Sequence, residues 1–354
     1  MTTDAEAASE GGAAGAARAP WPGLYPWQRD AAATMFADRA RWPHALLVAG
    51  AAGIGKRALA LEFARALLCE TPLAGGGACG ACPGCRYVAA GQHPDLRVVE
   101  PIELDDDGGE AKAVEWIAVD RIRALIDWAQ LTSHRRIAKV AVIVPAERMN
   151  AAAANALLKT LEEPPPSTYL ILVTAAPGRI PATLRSRCRR LVAPRPDAAA
   201  ATQWLAAQGV ANAAELLAQA GGAPLAAHAL ADRGYQAERA VWLAALAAPA
   251  ALEPAMLAAR IDAAPREERR DRIATVIDWL IAWCGDLALV RAGVAPRRNA
   301  DHAAALARLA AAVAPVPLFR YHRALLRQRG LVAHPLQPRL VAASLLTDYR
   351  SLFR

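Results

Sequence analysis

The stretch that decides the fold covers residues 45–57 and reads Ala-Leu-Leu-Val-Ala-Gly-Ala-Ala-Gly-Ile-Gly-Lys-Arg. Its apolar start predicts a short buried strand, and the residues that follow it have helical spacing. Between them lies the phosphate-loop pattern G-x-x-x-x-G-K. Glycine N–H groups and a helix start can face phosphate oxygens there, and a lysine can reach the outer ones. The candidate nucleotide residues are Gly50, Gly53, Gly55 and Lys56, and the alternative is a glycine-rich turn without a ligand.

Two positions that support magnesium in P-loop ATPases carry other chemistry here. The residue after the lysine is normally Ser or Thr, whose hydroxyl ligates the ion, but Arg57 stands in its place. A β-branched run at residues 139–144 predicts a buried parallel strand, and Val144 and Pro145 occupy its end, where an Asp-Glu pair is expected. Glu147 is not expected to reach the same point. Because phosphoryl transfer depends on metal and positioning, the sequence predicts no hydrolysis of ATP.

Four of the six cysteines are clustered at Cys69, Cys79, Cys82 and Cys85. In the spacing C-x9-C-x2-C-x2-C, two adjacent turns can wrap one ion, and a thiolate from the preceding helix end can complete a tetrahedron. This pattern predicts a structural Zn²⁺ site with no open coordination position. Unligated thiols, or redox chemistry by Cys82 and Cys85, are the alternatives. The nearby His93-Pro-Asp sequence is better interpreted as a turn than as a ligand.

The overall composition limits the class of protein. The chain has 354 residues and a formal net charge of +8, which favours nucleic acid or an acidic partner; ordinary solubility charge is the alternative. The apolar fraction of 55% is inflated by alanine, which favours helix. Neither a signal-peptide pattern nor an apolar run of membrane-spanning length is evident. We therefore expect a cytoplasmic protein without a membrane partner.

The pattern of apolar residues changes along the chain. Residues 1–20 are mainly small and polar without periodicity, which predicts a disordered tail. Over residues 21–196, short apolar runs alternate with helical patterns, which predicts an α/β domain with a parallel sheet. Strand signals vanish after that. We predict a small all-helical unit at residues 197–236 and a longer helical region at residues 237–354.

A group of arginines lies between a short predicted helix and a last strand predicted at residues 191–193. The segment from Thr183 to Arg190 reads Thr-Leu-Arg-Ser-Arg-Cys-Arg-Arg. A guanidinium presented there could stabilise the charge of a phosphoryl group that belongs to a neighbouring molecule. A basic surface turn is an equally good interpretation of the spacing alone.

Several segments together resemble one protein family. They are residues 155–165 (Asn-Ala-Leu-Leu-Lys-Thr-Leu-Glu-Glu-Pro-Pro), the Ser-Arg-Cys triplet at 186–188, and the four cysteines after the phosphate loop. This combination resembles the clamp-loader subunits of bacterial DNA polymerase III, which are AAA+ proteins, and is most similar to the delta-prime type. The resemblance implies a RecA-like AAA+ domain with a zinc module at residues 69–85, followed by a helical lid (197–236) and a helical collar (237–354).

The resemblance also implies a function. The chain would be a non-hydrolysing subunit of the DNA polymerase III holoenzyme, and no enzyme by itself. Arg187 matches the arginine finger given in trans to the ATP site of the adjacent subunit, and Leu225 stands where active subunits carry a sensor arginine. Lys56 and its glycines match the phosphate loop, while Arg57 leaves binding of ATP or ADP open. The implied partners are gamma/tau and delta-type subunits in a hetero-pentamer that loads the sliding clamp onto primed DNA.

Two other functions are compatible with the motifs. One is an ATP-binding AAA+ ATPase with its own activity and unusual magnesium ligands. The other is a zinc-containing DNA-binding module in which the P-loop fold is a relic. A hydrolysis assay on the isolated chain distinguishes the first alternative, and salt-sensitive DNA binding by the isolated chain distinguishes the second.

Overall fold

The structure is a computed structural model that describes residues 23–37, 41–103, 112–332 and 337–354. The tail predicted for residues 1–20 lies outside these ranges. The chain divides into two compact units, Met1–Arg195 and Pro196–Arg354. The division falls beside the Pro-Arg-Pro sequence at which the strand signals end.

The N-terminal unit contains a five-stranded parallel sheet with the strand order β2-β5-β6-β1-β7. Every residue of β1 and β5 is buried, as is typical of parallel strands covered on both faces. The predicted α/β domain with a parallel sheet is thereby confirmed, and it fits the RecA-like AAA+ fold that the resemblance implies. The strands are β1 (Ala45–Ala49), β2 (Leu96–Val99), β5 (Lys139–Ile143), β6 (Thr168–Thr174) and β7 (Arg189–Val192), with a separate antiparallel pair of β3 (Ile102–Glu103) and β4 (Lys112–Ala113).

Within the described residues, six α-helices accompany this sheet. The Asn150 side chain accepts the Ala153 N–H and so caps the start of α5, and the prolines that follow Glu163 prevent the helix from continuing. The helices are α1 (Arg29–Phe36), α2 (Lys56–Leu67), α3 (Pro83–Ala89), α4 (Val119–Gln130), α5 (Ala151–Glu162) and α6 (Ala182–Arg185).

The last strand of the sheet corrects one expectation. It was expected at residues 191–193, but β7 begins two residues earlier and includes Arg189 and Arg190. Because β7 lies at an edge of the sheet, both arginine side chains can be exposed without cost. Of the four clustered arginines, only Arg187 lies in the turn between α6 and β7.

The C-terminal unit is entirely helical within its described residues. Two separate hydrophobic clusters are present, a small one formed by α7 to α9 and a larger one that contains Trp242 and Trp283. The predicted lid–collar boundary after residue 236 falls inside α10, so that division stays a prediction. The helices are α7 (Ala198–Ala207), α8 (Ala213–Gln219), α9 (Pro224–Ala229), α10 (Arg233–Leu246), α11 (Pro254–Ala259), α12 (Arg269–Arg291), α13 (Ala303–Ala312), α14 (Pro315–Gly330) and α15 (Pro338–Ser351).

Helix α12 is the one single helix in the described ranges that is long and apolar enough to cross a membrane by composition. Its position gives those apolar residues another role. Ile277, Leu280, Trp283 and Leu287 are all buried in the larger cluster, and more than half of the apolar stretch is buried inside the unit. Helix α12 therefore acts as the central core helix of the C-terminal unit.

Candidate functional site

The phosphate loop follows β1 and ends where α2 begins. Gly53 and Gly55 have positive φ angles of 74° and 87°, and Gly55 is the left-handed residue immediately before α2. A Cβ atom on Gly55 would lie 2.4 Å from Cδ2 of Tyr25 and 2.8 Å from Nε2 of Gln28. Glycine is therefore required at position 55 both by backbone conformation and by the close approach of the N-terminal segment.

Side chains of the segment before α1, residues 25–28, donate hydrogen bonds to carbonyl groups of this loop. Nε1 of Trp27 donates to the Ile54 carbonyl at 3.0 Å, and Nε2 of the buried Gln28 donates to the Ile54 and Gly55 carbonyls at 3.2 and 2.8 Å. The rings of Tyr25 and Trp27 stack with centroids 5.0 Å apart. Sequence reasoning missed Gln28, since its partners are 26 and 27 residues away and no local pattern reveals them.

Substitution of Gly55 by alanine should destabilise the N-terminal unit. The added Cβ would be forced into a left-handed conformation and against the Tyr25 ring, so we expect the free energy of unfolding to fall by about 2 kcal/mol or more. Urea unfolding measures this change. Gly178→Ala is the matched control, because a Cβ there meets no atom within 4 Å. Equal stability of the two variants would contradict this account of the loop.

The lysine of the motif is turned towards its own loop. Nζ of Lys56 donates to the Ala51 carbonyl at 2.6 Å, and the residue is buried. Burial lowers the pKa of the Lys56 ammonium, and the negative charge of Glu147 opposes that shift. One Glu147 oxygen accepts the Ala175 N–H at 3.0 Å, while Oε2 is buried without a hydrogen-bond partner among the described residues. Glu147 lies in the 3-10 turn Ala146–Arg148, and the expectation that it does not reach the magnesium position at the strand end stays a prediction.

The residue after the lysine is committed to an ion pair. Arg57 donates through Nε to Oε1 of Glu100 at 2.8 Å and through Nη2 to Oε2 at 3.2 Å. Glu100 directly follows β2, so the guanidinium is directed towards that strand. Val144 and Pro145 stand at the end of β5. Two places that normally supply magnesium ligands therefore supply none here. The residue after the lysine is a guanidinium paired with Glu100, and the end of β5 carries apolar side chains.

The structure brings the four predicted metal-binding cysteines together. Their Sγ atoms all lie within 4.8 Å of one another. The Cys69–Cys82 and Cys79–Cys85 separations are 3.8 and 4.0 Å. A tetrahedron with Zn–S bonds of about 2.3 Å has S···S edges of about 3.8 Å, so the cluster has the size of a four-thiolate metal site.

Polar groups around the cluster favour thiolates. Backbone N–H groups of Cys79 and Cys82 donate to the Sγ atoms of Cys69 and Cys79, both at 3.3 Å. The hydrogen bond from the Thr71 hydroxyl, helped by the backbone N–H groups of Cys82 and Ala81, lowers the pKa of Cys79 to about 5. Burial raises the pKa of Cys69 and Cys85. The donor set therefore fits a cation that stabilises all four thiolates, and the Cys69, Cys79, Cys82 and Cys85 cluster could bind a metal ion.

Charged side chains fasten the cysteine cluster to the sheet. The Glu70 carboxylate accepts the Gly84 N–H at 3.0 Å and Nε of Arg135 at 2.7 Å. The Arg135 guanidinium also lies 5.5 Å from the ring centroid of Tyr87 in α3, and its backbone N–H donates to Asp95 at 2.9 Å. Arg135 therefore links both ends of the cysteine segment to the loop that leads into β5.

His93 lies outside the set of ligands. Its carbonyl accepts the Leu96 N–H at 3.1 Å, and its Nδ1 accepts the Asp95 N–H at 3.0 Å. These bonds form a turn that leads into β2. The interpretation of His93-Pro-Asp as a turn is confirmed.

Arg187 and the phosphate loop lie at opposite ends of the parallel strands. Strands β1 and β7 pair in parallel, with Leu46 opposite Arg189 and Ala49 opposite Val192. Arg187 precedes β7 and so lies where these strands begin, whereas the loop lies where β1 ends. Each strand residue adds about 3.3 Å, so the two ends of the paired strands are roughly 10 Å or more apart. Arg187 therefore lies at the end of the strands opposite to the phosphate loop of its own chain.

Comparison with known proteins shows which proteins this chain is similar to. Residues 32–196 match the family model described as DNA polymerase III, delta subunit. The chain is 43% identical over 221 residues to DNA polymerase III subunit delta' of Pseudomonas aeruginosa, an alignment covering 61% of this chain and 64% of that protein. The corresponding protein of Escherichia coli is 40% identical over 214 residues, which is 58% of this chain and 60% of that protein. The chain is therefore similar to DNA polymerase III subunit delta' over 58–61% of its own length.

Relatives outside the delta-prime family are also similar. DNA polymerase III subunit tau of Escherichia coli is 37% identical over 145 residues, or 41% of this chain and 20% of that protein. The chain spans less than two thirds of the length of the delta-prime relatives described above. The family match includes the phosphate loop, the four cysteines and Arg187. It ends at the residue that begins the C-terminal unit.

Proposed function

We propose that this chain is a clamp-loader subunit of the delta-prime type that does not hydrolyse ATP and supplies Arg187 in trans to the ATP site of an adjacent subunit. The observation that carries the proposal is the state of its own phosphate site. Arg57 and Glu100 form a bidentate ion pair at the point where magnesium would need a hydroxyl ligand. Phosphoryl transfer without the metal loses the charge stabilisation on which its rate depends.

The environment of Lys56 supports the same conclusion. A phosphate would have to replace the Ala51 carbonyl as the partner of the Lys56 ammonium. It would also approach Glu147, whose negative charge acts on Lys56. The negative charge of Glu147 therefore opposes binding of a phosphate at Lys56.

We expect no ATP hydrolysis by the isolated full-length chain. A steady-state assay should show no magnesium-dependent turnover above that of the Lys56→Ala variant, which serves as the control for contaminating ATPases. Arg57→Ser should not restore activity, because Val144 and Pro145 still provide no second magnesium ligand. Turnover that is lost on Lys56→Ala would instead support the alternative of an independent ATPase.

The position of Arg187 supports action in trans. It lies where β7 begins, at the end of the sheet opposite to its own phosphate loop, in a turn whose side chains are partly exposed. A planar guanidinium there can form two parallel bonds with phosphate oxygens of another molecule. Arg187 is the residue of this chain that we assign to ATP chemistry.

The remaining parts of the proposal concern the metal and the partners. We assign structural Zn²⁺ to the four cysteines, since four thiolates in a tetrahedron suit zinc and leave no open position. We infer gamma/tau and delta-type subunits as partners in a cytoplasmic hetero-pentamer, which acts on the sliding clamp and primed DNA. Gel filtration of the mixed subunits tests this assembly. Tight, salt-sensitive DNA binding by the isolated chain would favour the alternative of a DNA-binding module.

A further inference from the structure

Arg187 is held by a carboxylate at the end of α5. Nε and Nη2 of Arg187 both donate to Oε1 of Glu162, the first of them at 2.7 Å. Nη1 donates to the Thr183 carbonyl at 2.8 Å and lies 3.5 Å from the Ser186 hydroxyl. The side chains of Arg187 and Glu162 are 34% and 49% exposed. The guanidinium is therefore fixed on two sides although it lies at the surface.

The pattern of these bonds leaves one N–H of Nη2 without a partner among the described residues. The guanidinium has five N–H donors in a rigid plane. Glu162 takes the edge formed by Nε and Nη2, and Nη1 donates to the Thr183 carbonyl and lies 3.5 Å from the Ser186 hydroxyl. A phosphate at the end of the fork could accept from the remaining N–H of Nη2 and, in place of the Ser186 hydroxyl, from Nη1.

We propose that Glu162 is a positioning residue for Arg187, a role that rests on the proposed action of Arg187 in trans. Glu162 and the Thr183 carbonyl orient the guanidinium so that the end of its fork, formed by Nη1 and Nη2, faces a neighbouring subunit. An arginine side chain has about 2 kcal/mol of rotamer entropy, so orientation before the neighbour docks reduces the cost of transition-state contact. The negative charge of Glu162 also stabilises the exposed cation until the phosphate arrives.

The chain offers a matched control in the next residue. Glu163 is also an exposed glutamate at the end of α5, and its side chain forms no ion pair within the described ranges. Removal of either carboxylate changes the surface charge in the same way. The two residues differ in that Glu162 contacts Arg187.

The test measures DNA-stimulated ATP hydrolysis by the reconstituted clamp loader that contains the full-length chain. We expect Glu162→Ala to lower kcat about tenfold, with KM for ATP changed less than about twofold, because the arginine acts mainly in the transition state. Glu162→Gln should be intermediate, since its amide oxygen still accepts from Nε but has no charge. Glu163→Ala should match the wild type. In an Arg187→Ala background, Glu162→Ala should cause no further loss.

Several outcomes would overturn the proposal. One is a kcat for Glu162→Ala equal to that of Glu163→Ala, and another is a kcat above the wild type, which would show that Glu162 restrains the arginine. A further loss in the Arg187→Ala background would show that Glu162 acts independently. If Arg187→Ala is defective but Glu162→Ala is normal, only the positioning role fails. If Arg187→Ala itself is normal, the proposed function fails and the positioning role fails with it.

Discussion

Arg187→Ala should reduce ATP hydrolysis at the adjacent site of the assembled clamp loader by about 10³-fold or more. Arginine fingers in other phosphoryl-transfer systems contribute about 10³–10⁵ to kcat, because they stabilise charge that develops on the transferring group. Arg187 lies at the end of the sheet where β1 and β7 begin, opposite to the end that carries the phosphate loop of its own chain. Single-turnover hydrolysis by the reconstituted assembly measures the effect at that site.

Two further variants make this experiment specific. Arg185→Ala removes an equal charge from α6, where the exposed Arg185 forms no ion pair within the described residues, and it should leave the rate nearly unchanged. Arg187→Lys should remain strongly defective, because an ammonium cannot reproduce the planar two-point contact. Gel filtration should show normal assembly for all three variants. Unchanged turnover by Arg187→Ala would remove the assignment of an arginine finger.

The sequence predicts the sheet well where burial alone determines the pattern. Strands β1 and β5 are buried along their whole length, so both appear as uninterrupted apolar runs. The edge strand β7 begins with Arg189 and Arg190, whose exposed side chains hide its start from any test of hydrophobicity. The position of that strand depends on its pairing with β1, which is a contact distant in sequence.

The candidate sites show the same limit. The cysteine cluster is predictable because the chemistry of four thiols depends on a short, local spacing. The partner of Arg57 is not, since Glu100 lies 43 residues away and is placed by β2. The effect of Glu147 on Lys56 likewise joins residues that are distant in the sequence, and one Glu147 oxygen accepts the Ala175 N–H. The identities of single residues therefore predict that the usual magnesium ligands are missing. The groups that interact with Lys56 in place of a phosphate depend on tertiary contacts.

Loss of one zinc ligand should unfold the cysteine segment and leave the sheet intact. We expect freshly purified protein to contain about one Zn²⁺ per chain, and Cys82→Ser to lose most of it. Apparent binding free energies of structural zinc in small peptides are about 10–16 kcal/mol, and that energy is folding energy. The three sulfurs in the buried part of the cluster pack mainly against one another, whereas the sheet belongs to a separate core cluster. Hydrogen exchange should therefore increase in α3 and little in β5 or β6.

Cys188→Ser is the matched control, because Cys188 is a half-buried cysteine in the turn between α6 and β7, outside the cluster of four. It should retain zinc and normal exchange in α3. Metal analysis reports the ligand loss directly, and exchange of α3 amides reports its structural consequence. Glu70 and Arg135 still join the segment to the loop before β5 in the Cys82→Ser variant, so the increase should be greatest between that anchor and the end of α3. A zinc-free wild-type protein with slow exchange in α3 would show that the thiols pack without a metal, and the assignment of zinc would be wrong.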